Sequence, residues 1–442
     1  MDHRGTGQSA HLACSGSSTP PYVEPTNVPM CAQELHEKYG DLSAFSTMSA
    51  ATDLLTFISD YGNDFSTIIY GVEYGTIWVE RAMHLDPAEV TGYVLDGVST
   101  TSGARLDLFA NVSIDTALGE VGDAFIAMCA EDCACGSHFK KRSLKATIQH
   151  LFTAFDKDPN SKCASFFNTT QTEQNEDPSS FALRTVLGLL LSDSSLRTLI
   201  PPVVYRLARC SSNDIEVLNN LVEKMSGSVD PSDSASLVSF LLDNLIIFSE
   251  MWESPTPPTS VLKTRFEEAT MSTGSAYVQT ERYCAYTKEK SATCGKLKLG
   301  GYKGYGIVYE RDEYWNKAAT IPGQASVLIL SSKLNPLAPH KDAEALLKAM
   351  VGDNKELVAF EYTAGSNLMD SSTQELCGMS VLVSYVQNEG KLEKLEKSCV
   401  AAEVKTAFYW TPPLSQQYVL LSTSDAYDGE YDKSLSEFRP MT

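Results

Sequence analysis

The stretch that decides the fold reads Tyr70-Gly71-Val72-Glu73-Tyr74-Gly75-Thr76. Leading into it, Thr67-Ile-Ile-Tyr70 is a short apolar run that predicts a strand, and Thr76 to Leu85 predicts a helix that stops before Pro87. Almost nothing joins the two elements, so the chain must turn sharply at Glu73. Glycines at 71 and 75 suit such a turn because they place no side chain on either side of it. Tyr93-Val-Leu95 reads as the next strand and ends at Asp96-Gly97.

Working outward, Ser46 to Asp60 predicts a helix with apolar Leu54, Leu55, Phe57 and Ile58, and Ser46 or Thr47 is available as N-cap. Strands alternating with helices argue for a parallel sheet covered by helices, that is, an α/β fold. From about residue 100 to 317 the rhythm changes to helical segments such as Phe181 to Leu191, Asp214 to Met225 and Ser236 to Trp252, separated by polar connections. The α/β pattern then returns. Ser326-Val-Leu-Ile-Leu330 reads as a buried strand, Lys341 to Val351 as an amphipathic helix, and Glu356 to Tyr362 as a further strand. The expected organisation is a sheet domain over 1–99 and 318–442, with a helical cap inserted at 100–317.

Composition limits the function classes. The 442 residues carry a net charge of −21, which should repel nucleic acid and anionic membranes. Leu237 to Trp252 is the most apolar run, but Asp243, Asn244 and Glu250 interrupt it, so a buried helix is expected rather than a membrane span. Eleven cysteines suggest an oxidising compartment, as do the sequons at Asn111 and Asn168. The opening Met1-Asp2-His3-Arg4-Gly5 has no apolar signal region. The expectation that reconciles these is a secreted lineage whose early part is missing.

The glycine frame around Glu73 is similar to the Gly-x-Ser-x-Gly turn that presents the nucleophile in α/β-hydrolases. Other segments resemble one family within them, the serine peptidases of the prolyl and tripeptidyl aminopeptidase type. Met1-Asp-His-Arg-Gly-Thr-Gly-Gln-Ser9 resembles the segment after their fourth strand, Val94-Leu-Asp-Gly-Val98 the strand after the turn helix, and Val327 to Leu347 the acid strand with its helix. Cys399 falls where their C-terminal region also carries cysteine. The resemblance covers roughly residues 1–100 and 318–400. It implies an α/β-hydrolase fold with a cap over a peptide-sized cleft, and no cofactor or metal.

The resemblance also implies which residues should do the chemistry, and here the chain departs from the family. The nucleophile position falls on Glu73, the acid position on Asn335 in Leu334-Asn335-Pro336, and the base position on Gly365 in Ala364-Gly365-Ser366. The fold's chain order puts the base last, yet the final histidine is His340. Without a base, the serine mechanism loses both deprotonation of the nucleophile and protonation of the leaving group. The family's oxyanion donor after the turn falls on the amide of Tyr74; the other would lie upstream of Met1. The expected function is therefore a non-catalytic homologue that keeps a cleft for a peptide or small-molecule ligand. Two alternatives stand beside it: a working hydrolase in which Glu73 and a displaced base, His340, converge, and a non-enzymatic binding module.

Three further motifs admit plainer readings. Cys129, Cys133, Cys135 and His138 lack the usual C-x₂-C spacing of zinc sites, so disulfides are expected there, and Cys14–Cys31 and Cys284–Cys294 are plausible local pairs. Gly300 to Gly306 lacks the order of a phosphate-binding loop and reads as a flexible connection. Asp425 to Asp432 reads as a solvated acidic tail.

Overall fold

The computed structural model describes residues 1–15, 22–62, 66–99, 102–106, 110–166, 177–227, 238–368, 376–403 and 408–436. Asn168 of the second sequon lies outside them. The chain forms two compact units. One comprises Met1–Asp115, Pro231–Arg265 and Gly274–Thr406; the other comprises Thr116–Asp230, Phe266–Thr273 and Ala407–Thr442.

The first unit is a mixed α/β structure built on a four-stranded parallel sheet. Helix α1 (Val28–Tyr39) and helix α2 (Thr47–Tyr61) precede strand β1 (Thr67–Glu73), and helix α3 (Tyr74–His84) follows it directly. Next come β2 (Val90–Val98), helix α4 (Phe240–Glu250), helix α5 (Ser275–Thr287), β3 (Ser326–Ser332), helix α6 (His340–Ala349), β4 (Lys355–Phe360) and helix α7 (Cys377–Gln387). The strands lie in the order β1-β2-β3-β4, each pair parallel.

Side-chain alternation explains how the sheet is covered. Ile69, Tyr93, Leu95, Val327 and Ile329 pack with Ala51 and Ile58 of α2, Val79 and Met83 of α3, and Ala343 and Leu346 of α6. Residues one position away, Val94, Leu328, Leu330, Val358 and Phe360, pack with Val381 and Tyr385 of α7. Every residue of β3 is buried, whereas β1, at the edge of the described sheet, is only partly so. A strand buried on both faces reads as a continuous apolar run, which is why Ser326 to Leu330 is so legible in sequence.

The helices start where local chemistry tells them to. Ser46 accepts a hydrogen bond from the Ser49 amide at 3.2 Å and so caps α2, as expected. Helix α3 has no side-chain cap on its first residue; instead Thr76 Oγ1 donates to the Glu73 carbonyl at 2.6 Å and accepts from the Ser99 amide at 3.1 Å. One hydroxyl thus ties the start of α3 to the end of β2.

The segment from Gly300 to Gly306 is folded rather than a loose connection. Lys288 Nζ donates to the carbonyls of Tyr302 (2.8 Å) and Gly304 (2.5 Å), Tyr302 donates to Ala285 O, and Tyr305 stacks on His36. The glycines let the backbone come close to α5, since a side chain on Gly300 would meet Lys288 Cα at 2.9 Å.

In the second unit, helices Leu144–Lys157, Ser179–Ser192, Ile200–Arg209 and Ser212–Gly227 carry much of the packing. The acidic stretch 425–432 is not a solvated tail here. Arg206, buried, donates to the carbonyls of Ala426, Asp425 and Gly429 and to Asp214, while Arg209 bonds Asp214 and Asp428. A buried guanidinium needs several acceptors at once, and the turn from Asp425 to Gly429 supplies them from its backbone.

Ten cysteines pair as 14–31, 129–135, 163–210, 284–294 and 377–399, and Cys133 is free and exposed. Two of the cysteines weighed as zinc ligands are thus bound to each other, and His138 stacks on Tyr427 at 3.5 Å. No helix among the described residues is long and apolar enough to cross a membrane.

Candidate functional site

The turn between β1 and α3 is strained. Glu73 has φ 48° and ψ −115°, a conformation that costs a non-glycine residue about 1–3 kcal/mol and persists only when its surroundings impose it. Those surroundings are visible at Gly71. A Cβ there would run into the carbonyl of Gly75 and lie 2.7 Å from Val79 Cγ2. Gly75 differs, since a Cβ on it would meet nothing within 4 Å. The turn therefore requires glycine on one side only.

Parallel topology brings the ends of the other strands to the same place. Gly97, just inside the end of β2, has φ 65°, and a Cβ there would lie 3.3 Å from Asn335 Nδ2 and 3.8 Å from Glu73 Cγ. Asn335 follows β3 and is fully buried. Its Oδ1 accepts from the amides of Leu337 (3.0 Å) and Ala338 (3.1 Å), and its Nδ2 donates to the Gly365 carbonyl at 3.3 Å. Glu73, Asn335 and Gly365, named from sequence as one constellation, are thus near neighbours at the carboxyl ends of the strands. A Cβ on Gly365 would meet nothing within 4 Å.

Glu73 itself is half-buried, and its carboxylate makes no hydrogen bond with any described residue. Burial pushes its pKa up, and the nearby charge of Asp96 pushes in the same direction. Asp96 occupies a different environment. Fully buried, it accepts from Tyr70 Oη (2.7 Å), Ser366 Oγ (3.1 Å), the Asn367 amide (3.1 Å) and Asn367 Nδ2 (2.6 Å). Its pKa is also raised, because burial outweighs the four donors that favour the ionised form. The sequence places Asp96 at a strand end but assigns it no role, because three of its four donors come from Ser366 and Asn367, some 270 residues further along the chain.

No hydrogen bond or ion pair among the described residues links His340 to Glu73. It opens α6, where its Nδ1 lies 3.1 Å from Ser331 Oγ and its Nε2 3.8 Å from Glu344 Oε1 one helical turn away. Tyr74 opens α3, so its amide is among the first-turn N–H groups that a helix leaves without an internal partner. Its side chain points elsewhere, to Thr47 Oγ1 at 3.2 Å.

What this arrangement can do chemically is limited. It offers the Glu73 carboxyl, the first amide of α3 and the neutral side-chain amide of Asn335. Of these groups only the Glu73 carboxyl exchanges a proton, and burial shifts that exchange upward in pH. The chain matches no family model and no curated protein sequence.

Proposed function

We propose that this chain is a non-catalytic homologue of the α/β-hydrolase serine peptidases of the prolyl and tripeptidyl aminopeptidase type, keeping room for a peptide or small-molecule ligand at the carboxyl end of its sheet. The observation that carries this reading is the backbone of Glu73. A positive-φ glutamate between strand and helix is costly, and a nucleophile turn that has exchanged its serine accounts for that cost. The closeness of Glu73, Asn335 and Gly365 supports the same reading, since these are the three positions the resemblance assigns to nucleophile, acid and base.

The alternative of a working hydrolase needs His340 within reach of Glu73, and no hydrogen bond or ion pair among the described residues links them. The test is aminopeptidase and esterase turnover by the natural chain and by a triple variant, Glu73→Ser, Asn335→Asp and Gly365→His. The expected result is an inert natural chain and measurable turnover in the variant. Turnover by the natural chain that Glu73→Ala abolishes would overturn the reading.

A further inference from the structure

The end of the sheet opposite the candidate site carries a cavity of about 290 Å³. It spans the amino ends of the four strands, and the turn after α7 supplies the rest of its wall. Such a volume is at the lower end of ligand-sized cavities, so its occupant is small.

The polar groups of the wall are oriented by the backbone behind them. A main-chain carbonyl can only accept, so a side-chain amide bonded to one must offer its nitrogen. Gln324 Nε2 donates to Pro87 O at 3.0 Å, and Asn354 Nδ2 donates to Ala325 O at 2.8 Å. Each planar amide is thereby fixed with its oxygen on the other side, and no described group donates to either oxygen. Ser326 has nothing left to offer, since its Oγ donates to Gly390 O at 2.5 Å and lies 2.6 Å from Tyr385 Oη.

The charges follow the same sense. Glu389 is held by Lys391 at 2.9 Å, with Lys394 adding to that hold, whereas Glu393 has no partner among the described residues. Helix α7 ends beside this wall, and the carbonyls at a helix C-terminus favour positive charge. The side-chain groups left unengaged are therefore acceptors: two amide oxygens and one carboxylate.

We infer that this cavity binds a small organic ammonium, whose N–H groups donate to the Gln324 and Asn354 oxygens and whose charge faces Glu393. A chain of net charge −21 attracts cations over its whole surface, so the fixed acceptors, more than the charge, set this place apart. The cavity lies at the far end of the strands from Glu73, and the inference stands whether or not the functional reading above does.

A ligand-observed NMR titration of the full chain at physiological ionic strength tests it, with 1,4-diaminobutane as probe and 1,4-butanediol as its uncharged analogue. Saturable one-to-one binding of the diamine is expected, with none of the diol. Glu393→Gln should weaken binding about fivefold, the size of one exposed ion pair, and Lys391→Gln, which frees Glu389, should tighten it by about as much. Glu216→Gln removes the same charge from a helix of the second unit and should leave binding unchanged. All three side chains are exposed, so the variants keep the fold. Absence of saturable binding, equal binding of the diol, or an affinity lowered equally by Glu393→Gln and Glu216→Gln would overturn the proposal.

Discussion

Two carboxylates at the same end of the sheet live under opposite rules. Asp96 is fully buried and every one of its oxygens is occupied by donors from Tyr70, Ser366 and Asn367. Glu73, at the end of the neighbouring strand, has no donor at all among the described residues, and its backbone is strained where Asp96 sits in ordinary strand pairing. Burial raises both pKa values. The contrast separates two uses of a buried charge. Asp96 is a joint that fastens the loop after β4 to β2, and the fold depends on it. Glu73 is tolerated by the fold, which holds it in place without engaging its side chain.

If that distinction is right, the largest effect should come from Asp96→Ala. It strands the two buried donors of Asn367 and the part-exposed hydroxyls of Tyr70 and Ser366, and a loss of about 3–5 kcal/mol is expected from the denaturant midpoint. A loss below about 1 kcal/mol would show that the loop relaxes and hydrates, and the contrast would collapse. The two glycines that frame Glu73 give the next test. Gly71→Ala forces a methyl into the Gly75 carbonyl and should cost about 2–3 kcal/mol, while Gly75→Ala should stay within about 0.5 kcal/mol. Equal costs would mean the turn is not held by the close approach described above.

A third carboxylate sharpens the comparison. Glu80 on α3 is buried, accepts from Ser102, and has one oxygen without a partner; burial pushes its pKa up to about 7. Its proton is bound more tightly in the folded than in the unfolded chain. Its contribution is therefore full at and below the ordinary carboxylate range and is lost as pH climbs toward about 7. Glu80→Gln should flatten that part of the stability curve, by about 3 kcal/mol between pH 4.5 and 7.5. An unchanged slope would place the titration elsewhere. The smallest effect belongs to Glu73→Gly, which relieves the positive φ and should stabilise the chain by about 1 kcal/mol in thermal unfolding. Destabilisation instead would reveal a partner for the Glu73 side chain and erase its difference from Asp96.

Much of the sheet was legible because its signals are local. Ser46 as a cap, the apolar runs at Thr67 and Ser326, and the abrupt passage from strand to helix at Glu73 all lie within a few residues of the structure they specify. The helices Val28–Tyr39, Leu144–Lys157, Ile200–Arg209 and Cys377–Gln387 went unread. Of these, Ile200–Arg209 opens with two prolines, which suit a first helical turn but read as breakers in isolation. The candidate site was half legible. Its three positions could be named from motif frames, but Asp96 and its donors in Ser366 and Asn367 could not, because hydrogen bonds spanning some 270 residues leave no trace in spacing.

The sequence by itself determined an α/β chain, a sharp turn at Glu73, and the lack of any histidine after His340. Those properties follow from residue type and short-range geometry, which the chain carries wherever it is placed. Only the tertiary structure decided that Asn335 and Gly365 come together beside Glu73, that Arg206 gathers the acidic turn at Asp425, and that His3 is buried against Trp78. Each of these is a pairing of groups far apart in the chain. Its strength comes from removing water around them, and burial is a property of the packed structure rather than of any one segment.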